Sequence, residues 1–151
     1  MTNGAIDWNT VNHFEESEFQ DPDVPGSGAF IDAVLVKILD GTREYSGWPM
    51  RIHWEVGGAV DVNGTHDHAK ESYHLKKNGC KAVDFHFETT ADTRLQFQKV
   101  ERGGYTGIGI YYDWHWNGVL LPIAFHVDFR PLDRYQRWTE RVKGQRRYWL
   151  K

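Results

Sequence analysis

Apolar residues recur at three- and four-residue intervals from Phe30 to about Tyr45. Phe30, Ile31, Val34, Leu35, Ile38 and Leu39 fall on one face, which predicts an amphipathic helix. Ser46, Gly47 and Pro49 end it. The period then changes to two. In MRIHWEV, residues 50–56, Met50, Ile52, Trp54 and Val56 alternate with Arg51, His53 and Glu55, the pattern of a half-buried strand. The alternation returns in CKAVDFHFE, residues 80–88, with Val83, Phe85 and Phe87 on the core side and Ala82, Asp84, His86 and Glu88 opposite. GIGIYYDWHW and LPIAFHVDFR predict two more strands, joined by a turn at Asn117 and Gly118. In the last of them Phe125, Val127 and Phe129 oppose Ala124, His126, Asp128 and Arg130. The intervening ADTRLQFQKVERGG predicts a short helix, with Thr89 and Thr90 as N-cap candidates and Gly103 and Gly104 at its end.

Three stretches carry no such period. Residues 1–28 are polar and acidic and are broken by Pro22, Pro25, Gly26 and Gly28, so they predict an extended arm, pinned to the body by Phe14 and Phe19. Residues 57–73, rich in Gly, Asn, Asp and His, predict a loop too polar to bury and too long for a hairpin turn. Residues 133–151 read as a basic, aromatic tail. With 151 residues the whole chain, 1–151, is expected to form a single domain.

Composition narrows the class. The chain is 40% apolar, 15% aromatic and 26% charged, which excludes both a disordered chain and a lipid-embedded one. No apolar run is long enough to span a membrane, and MTNGAIDWNT has neither the basic start nor the apolar stretch of a signal peptide. Cytoplasmic synthesis without a signal peptide, so that any export needs outside help, and no membrane partner, are the expectations. The single cysteine, Cys80, excludes an internal disulfide and a cysteine-based zinc site, so any metal must be held by histidine and carboxylate. Cys80 itself reads as a small buried hydrophobe. The net charge of −3 hides an asymmetry: residues 1–30 hold six acidic and no basic side chains, residues 133–151 seven basic and two acidic. The two ends are expected to attract one another. An overall pI near 6.2 argues against a nucleic-acid partner for the tail.

The second and last strands share one design, an apolar side for the core and an opposite side bearing ionisable groups, which is costly unless that side meets water or a metal. A hydrolytic zinc site needs three protein ligands and an open position for water. His74 at the end of the long loop, Asp84 and His126 are the candidate ligands. His66 and His68 form a rival pair, expected to be solvated, and His86 is a rival on the face of Asp84. His53 and His115 read as rim or structural residues.

SYHLKKNGCKAVDF, GIGIYYDW and FHVDFRP resemble the zinc-dependent D-alanyl-D-alanine carboxypeptidase and murein endopeptidase family, and the opening HFEESEF resembles the start of its bacterial and phage members. The resemblance runs over roughly residues 13–138 and is specific in two short motifs: Ser, any residue, His, then Ala, any residue, Asp; and a later strand histidine. It implies an α+β fold with a small, mainly antiparallel sheet, flanking helices and the metal site on the sheet, as in hedgehog and DD-peptidase domains. It implies zinc as cofactor, His74, Asp84 and His126 as ligands, Ser72 beside the first ligand at the substrate-binding side, and a peptidoglycan stem peptide or cross-link as substrate.

The chain departs from the family at several points. His74 and Asp84 are ten positions apart, longer than the family's spacing by an insertion around KNG, and Cys80 stands where a Gly precedes the Ala-containing element. Ile123 occupies the place of a common general-base Glu. Asp128 is the candidate to orient a ligand or to exchange a proton with the zinc water. Arg130 is the candidate to hold a substrate carboxylate or an oxyanion, or else a surface ion-pair partner. IHWEVGGAVDVN offers no match for the family's carboxylate-gripping Arg, which favours endopeptidase over carboxypeptidase. Trp114 and Trp116 are candidates for a stacking wall against substrate. The lack of a signal peptide suits a lysin freed by phage-type release. The competing expectation is a non-catalytic module of the same fold, such as a phage particle component. Oligomeric state and the bond cut are left open.

Overall fold

In the computed structural model, which describes residues 5–150, Asp32 caps the first helix by accepting a hydrogen bond from the Leu35 N–H at 2.9 Å. Helix α1 therefore begins at Ala33 and runs Ala33–Ser46, ending at Gly47 in the left-handed region. Phe30, expected within it, closes a preceding 3-10 turn, Ser27–Phe30, and is exposed. Leu35, Val36 and Leu39 are the residues that bury. Helix α2, Thr93–Glu101, is capped by Asp92, whose carboxylate accepts from the Leu95 N–H at 2.8 Å. Thr89 and Thr90, the candidates read from the sequence, lie too far upstream; Asp92 stands immediately before the helix, where its side chain reaches the N–H of the third helical residue.

Among the described residues, six strands complete the fold: β1 Met50–Ile52, β2 Ala82–Phe87, β3 Gly107–Trp116, β4 Val119–Asp128, β5 Gln136–Glu140 and β6 Arg146–Leu150. In this α+β fold they form one mixed sheet in the order β1-β2-β4-β3-β5-β6, antiparallel throughout except for the parallel pair β3 and β5. The hairpin β3–β4 turns at Asn117 and Gly118, with φ of 51° and 79°, the left-handed pair that a two-residue hairpin loop requires. Val83, Phe85, Ile108, Ile110, Phe125 and Val127 join Leu35, Val36, Leu39 and Val100 in the main core, together with Phe14 and Phe19 of the N-terminal arm.

Four further expectations are corrected. The strand over residues 50–56 stops at Ile52, because Trp54–Val56 turns into a 3-10 segment closed by Gly57 in the left-handed region. The loop 57–73 is not uniformly exposed: Ala59, Val60 and Asp61 are buried, and Asp84 N–H donates to the Gly58 carbonyl at 2.7 Å, so this segment folds against β2. The basic segment is not a solvated tail. Residues 136–150 add β5 and β6 to the sheet, and Trp138 is completely buried. Residues 1–4 of the acidic arm and Lys151 lie outside the described residues. The rest of the arm is a series of short 3-10 turns rather than an extended run.

Buried Arg137 helps to secure β5, donating to Glu101 at 3.0 Å and to the Thr106 and Tyr105 carbonyls at 3.2 and 3.0 Å. No helix among the described residues is long and apolar enough to cross a membrane.

Candidate metal centre

His74 is placed by a tight local structure. Its N–H donates to Ser72 Oγ at 3.3 Å, and the Lys81 N–H donates to the Tyr73 carbonyl at 2.7 Å, tying the loop end to the start of β2. The inserted residues around KNG form a 3-10 turn, Lys76–Asn78. Gly79 and Cys80 then reverse the chain at φ of 101° and 49°, which returns it to β2. The extra length is taken up there, and His74 still meets Asp84. Cys80 is buried, and burial pushes its thiol up to about 12.

Asp84 and His126 face one another across the β2–β4 pairing. His126 Nδ1 lies 3.0 Å and His74 Nε2 3.5 Å from Asp84 Oδ1. One ligand atom from each of His74, Asp84 and His126 falls within 4.8 Å of the others, and all three residues are buried. Each histidine has its other nitrogen engaged. His74 Nδ1 donates to the Ala59 carbonyl at 3.0 Å, which leaves the Nε2 lone pair directed at the group. His126 Nε2 lies 2.7 Å from Asp128 Oδ2. Such outer partners fix the tautomer of a metal-binding imidazole. Two imidazole nitrogens and one carboxylate oxygen are also the donor set that zinc accepts.

Burial alone would raise the Asp84 carboxyl, but the His74 charge and the His126 hydrogen bond hold it well below the usual carboxylate range. Burial would lower His126, yet its hydrogen bonds to Asp128 and Asp84 outweigh that and raise it. For Asp128 burial is again opposed, here by Arg130 and His126, and the net direction is down.

Asp128 is fully committed. Besides His126, it accepts from Arg130 Nε at 2.8 Å and Nη2 at 2.6 Å, while Arg130 Nη1 donates to Gln136. Room for this carboxylate comes from Gly107, where a Cβ would lie 2.2 Å from Asp128 Oδ1. Gly109 makes room in the same way for Trp138, whose ring a Cβ would meet at 2.2 Å and which packs 5.6 Å from the His126 ring. Ser72 is partly buried, and the structure places it in the turn preceding His74 rather than in the group itself. Trp114 is half-buried against Tyr111, ring centroids 4.0 Å apart.

The other histidines do not scatter as expected. His68 is held by Asp61 through Nδ1 at 2.8 Å and stacks on His74 at 4.3 Å with 8° between the planes. Burial, then the His74 charge, lowers its pKa. His66 binds Asp21 at 2.8 Å, and Asp21, Asp61 and His66 make a second group with ligand atoms within 4.8 Å of one another. There the carboxylates already accept protein N–H groups: Asp23 and Val62 on Asp21, and Gly64 and Thr65 on Asp61. That cluster ties the arm to the loop beneath His74. His86 pairs with His53 at 2.8 Å instead of joining Asp84, and His53 is wholly buried, burial pushing it down to about 3. Trp116 stacks on His53 at 5.1 Å. His115 is exposed. Neither the His68–His74 stack nor Trp138 was legible in the sequence, because Asp61 and the β5 pairing reach them from outside their own motifs.

No family model, curated protein or solved structure matches the chain.

Proposed function

We propose that the chain is a zinc-dependent hydrolase of peptide bonds in peptidoglycan stem peptides or cross-links, built on a DD-peptidase-like fold, with endopeptidase action favoured. The observation that carries this reading is the meeting of His74 Nε2, Asp84 Oδ1 and His126 Nδ1 in one buried group, each imidazole braced from behind by Ala59 or Asp128. The motif resemblance around Ser72, His74, Asp84 and His126 supplies the substrate class. Zinc held there would supply Lewis acidity toward a carbonyl and a water acidic enough to attack at neutral pH.

The protein's own groups divide the remaining work. Asp128 orients His126, and Arg130 braces Asp128 with three of its N–H groups in use, so Arg130 stands behind the site rather than on the substrate. His68 serves as proton acceptor: Asp61 fixes its Nδ1–H, burial keeps it neutral, and its ring lies against a ligand. Trp114, next to Tyr111, lines the substrate side.

Zinc-loaded protein is expected to clear a suspension of purified cell walls, to stop with a chelator and to resume with added zinc. His68→Gln is expected to keep its zinc and lose about 100-fold or more in rate. Clearing that survives chelation contradicts the zinc mechanism. Failure of zinc-loaded protein to cleave any muropeptide favours the second reading, a non-catalytic module, which rests on the buried Ile123 at the position of the family's Glu.

A further inference from the structure

The sheet has two unlike edges. At one, β1 spans three residues, Met50–Ile52, and gives way to the 3-10 turn Trp54–Val56. So short an edge strand offers little to a further strand. At the other edge stands β6, which among the described residues pairs with β5 on one side only. All five of its residues are exposed, Tyr148 at 40%, Trp149 at 49% and Leu150 at 46%. RRYWL contains no proline, so the outer row of backbone N–H and C=O groups is a template for another strand.

The order of residues in RRYWL selects that strand. Residues directly opposed in a sheet project to one face, so two copies of β6 related by a twofold axis pair in registers centred on a residue. Centring on Arg147 sets arginine against arginine, and centring on Trp149 leaves both arginines with nothing opposite them in β6. Centring on Tyr148 matches all five positions: Arg146 faces Leu150, Arg147 faces Trp149 and Tyr148 faces its own copy. Each cation then lies against an apolar or aromatic side chain, with guanidinium over indole at the Arg147 and Trp149 positions. Trp149 is already braced by Phe97 of α2, the two rings 5.8 Å apart in an edge contact. Strand geometry puts Arg147 about 8 Å and Arg146 about 14 Å from its own copy, close to or beyond the screening length at physiological salt.

We propose that two copies of this chain pair through β6, antiparallel, with Tyr148 on the twofold axis, joining the two sheets into one. The partner is a second copy because the strand's sequence is complementary to itself in this register alone. The axis stands perpendicular to the sheet, so both copies keep the same face on the same side, and both groups of His74, Asp84 and His126 open toward one side of the dimer. An extended, cross-linked polymer would meet two centres at once. The pairing itself does not depend on the zinc reading. One strand pair makes a small interface, so the dimer is weak, with Kd in about the 10–100 µM range.

Sedimentation of the full chain, over about a hundredfold range of concentration around that Kd, is expected to show a reversible dimer that is no weaker at higher salt. Trp149→Arg sets like charges opposite Arg147 and is expected to weaken it at least about 10-fold. Trp149→Glu sets opposite charges there and is expected to retain it. Under mild oxidation Tyr148→Cys is expected to cross-link to its own copy, since opposed Cα atoms about 4.5–5.5 Å apart are within reach of a disulfide. Arg147→Cys and Trp149→Cys are expected to cross-link when mixed and not when alone. Cys80 is buried, so the parent serves as the uncross-linked control. A parent that stays monomeric throughout leaves the edge to a partner of other chemistry and overturns the proposal. Equal loss of the dimer in Trp149→Arg and Trp149→Glu, or self-linking of Arg147→Cys faster than of Tyr148→Cys, overturns it as well.

Discussion

Asp84→Asn is expected to leave the protein without stoichiometric zinc, weakening its affinity by at least about 100-fold, and hydrolysis is expected to vanish with it. Loss of an outer partner such as Asp128 is expected to cost roughly 10- to 100-fold. The substitution keeps the side chain's shape and removes its charge. That charge matters because Asp84 Oδ1 sits between His126 Nδ1 at 3.0 Å and His74 Nε2 at 3.5 Å, among largely buried side chains. An anion there attracts a cation with little screening, and a neutral amide does not.

The same arrangement fixes the sign of the pH dependence. His126 is raised above its ordinary value because it lies between two carboxylates, so zinc must displace a proton from it. Zinc affinity in the parent is therefore expected to fall as pH drops through that raised value, with proton release on binding at neutral pH. Metal content after dialysis, and competition titration at several pH values, check both points. Equal zinc in the parent and in Asp84→Asn contradicts the assignment.

Trp138→Ala is expected to cost about 3–5 kcal/mol in urea unfolding, the range for removing a large buried aromatic side chain. At about 2–4 °C per kcal/mol for a domain of this size, the melting temperature should fall on the order of 10 °C. Trp138 is wholly buried and lies over Gly109, touching His126 and Tyr111. Its loss opens a cavity between β5 and the site, so weaker zinc binding should accompany the instability. Leu132→Ala, at an 80% exposed position, is expected to stay within about 0.5 kcal/mol. If the two variants unfold alike, β5 does not pack on the sheet as described.

The contrast between Trp138 and its neighbours explains what the sequence made legible. β2, β4 and α1 announce themselves because their apolar residues keep a strict period against a single core face. β6 does not: all five of its residues are exposed on the sheet's edge, so burial leaves no alternation to read. β5 pairs in parallel with β3, a non-local contact that no turn signal marks.

The site divides in the same way. His74, Asp84 and His126 stand out through motif and strand phase, and the structure brings them together. His66 and His68 look like solvated loop residues because the partners that bury them are distant or unmarked. Asp21 lies 45 positions before His66, and Asp61 is a loop aspartate like several others in the sequence. His53 lies just past the end of β1, where the 3-10 turn after it and the stack with Trp116 seal it from solvent.

The most direct test of the metal centre is anomalous diffraction at the zinc edge from crystals of the zinc-loaded parent. The expected result is one strong peak about 2.0–2.2 Å from His74 Nε2, Asp84 Oδ1 and His126 Nδ1, with solvent at a fourth position. A peak confined to Asp21, Asp61 and His66, or no peak among the three predicted ligands, would contradict it.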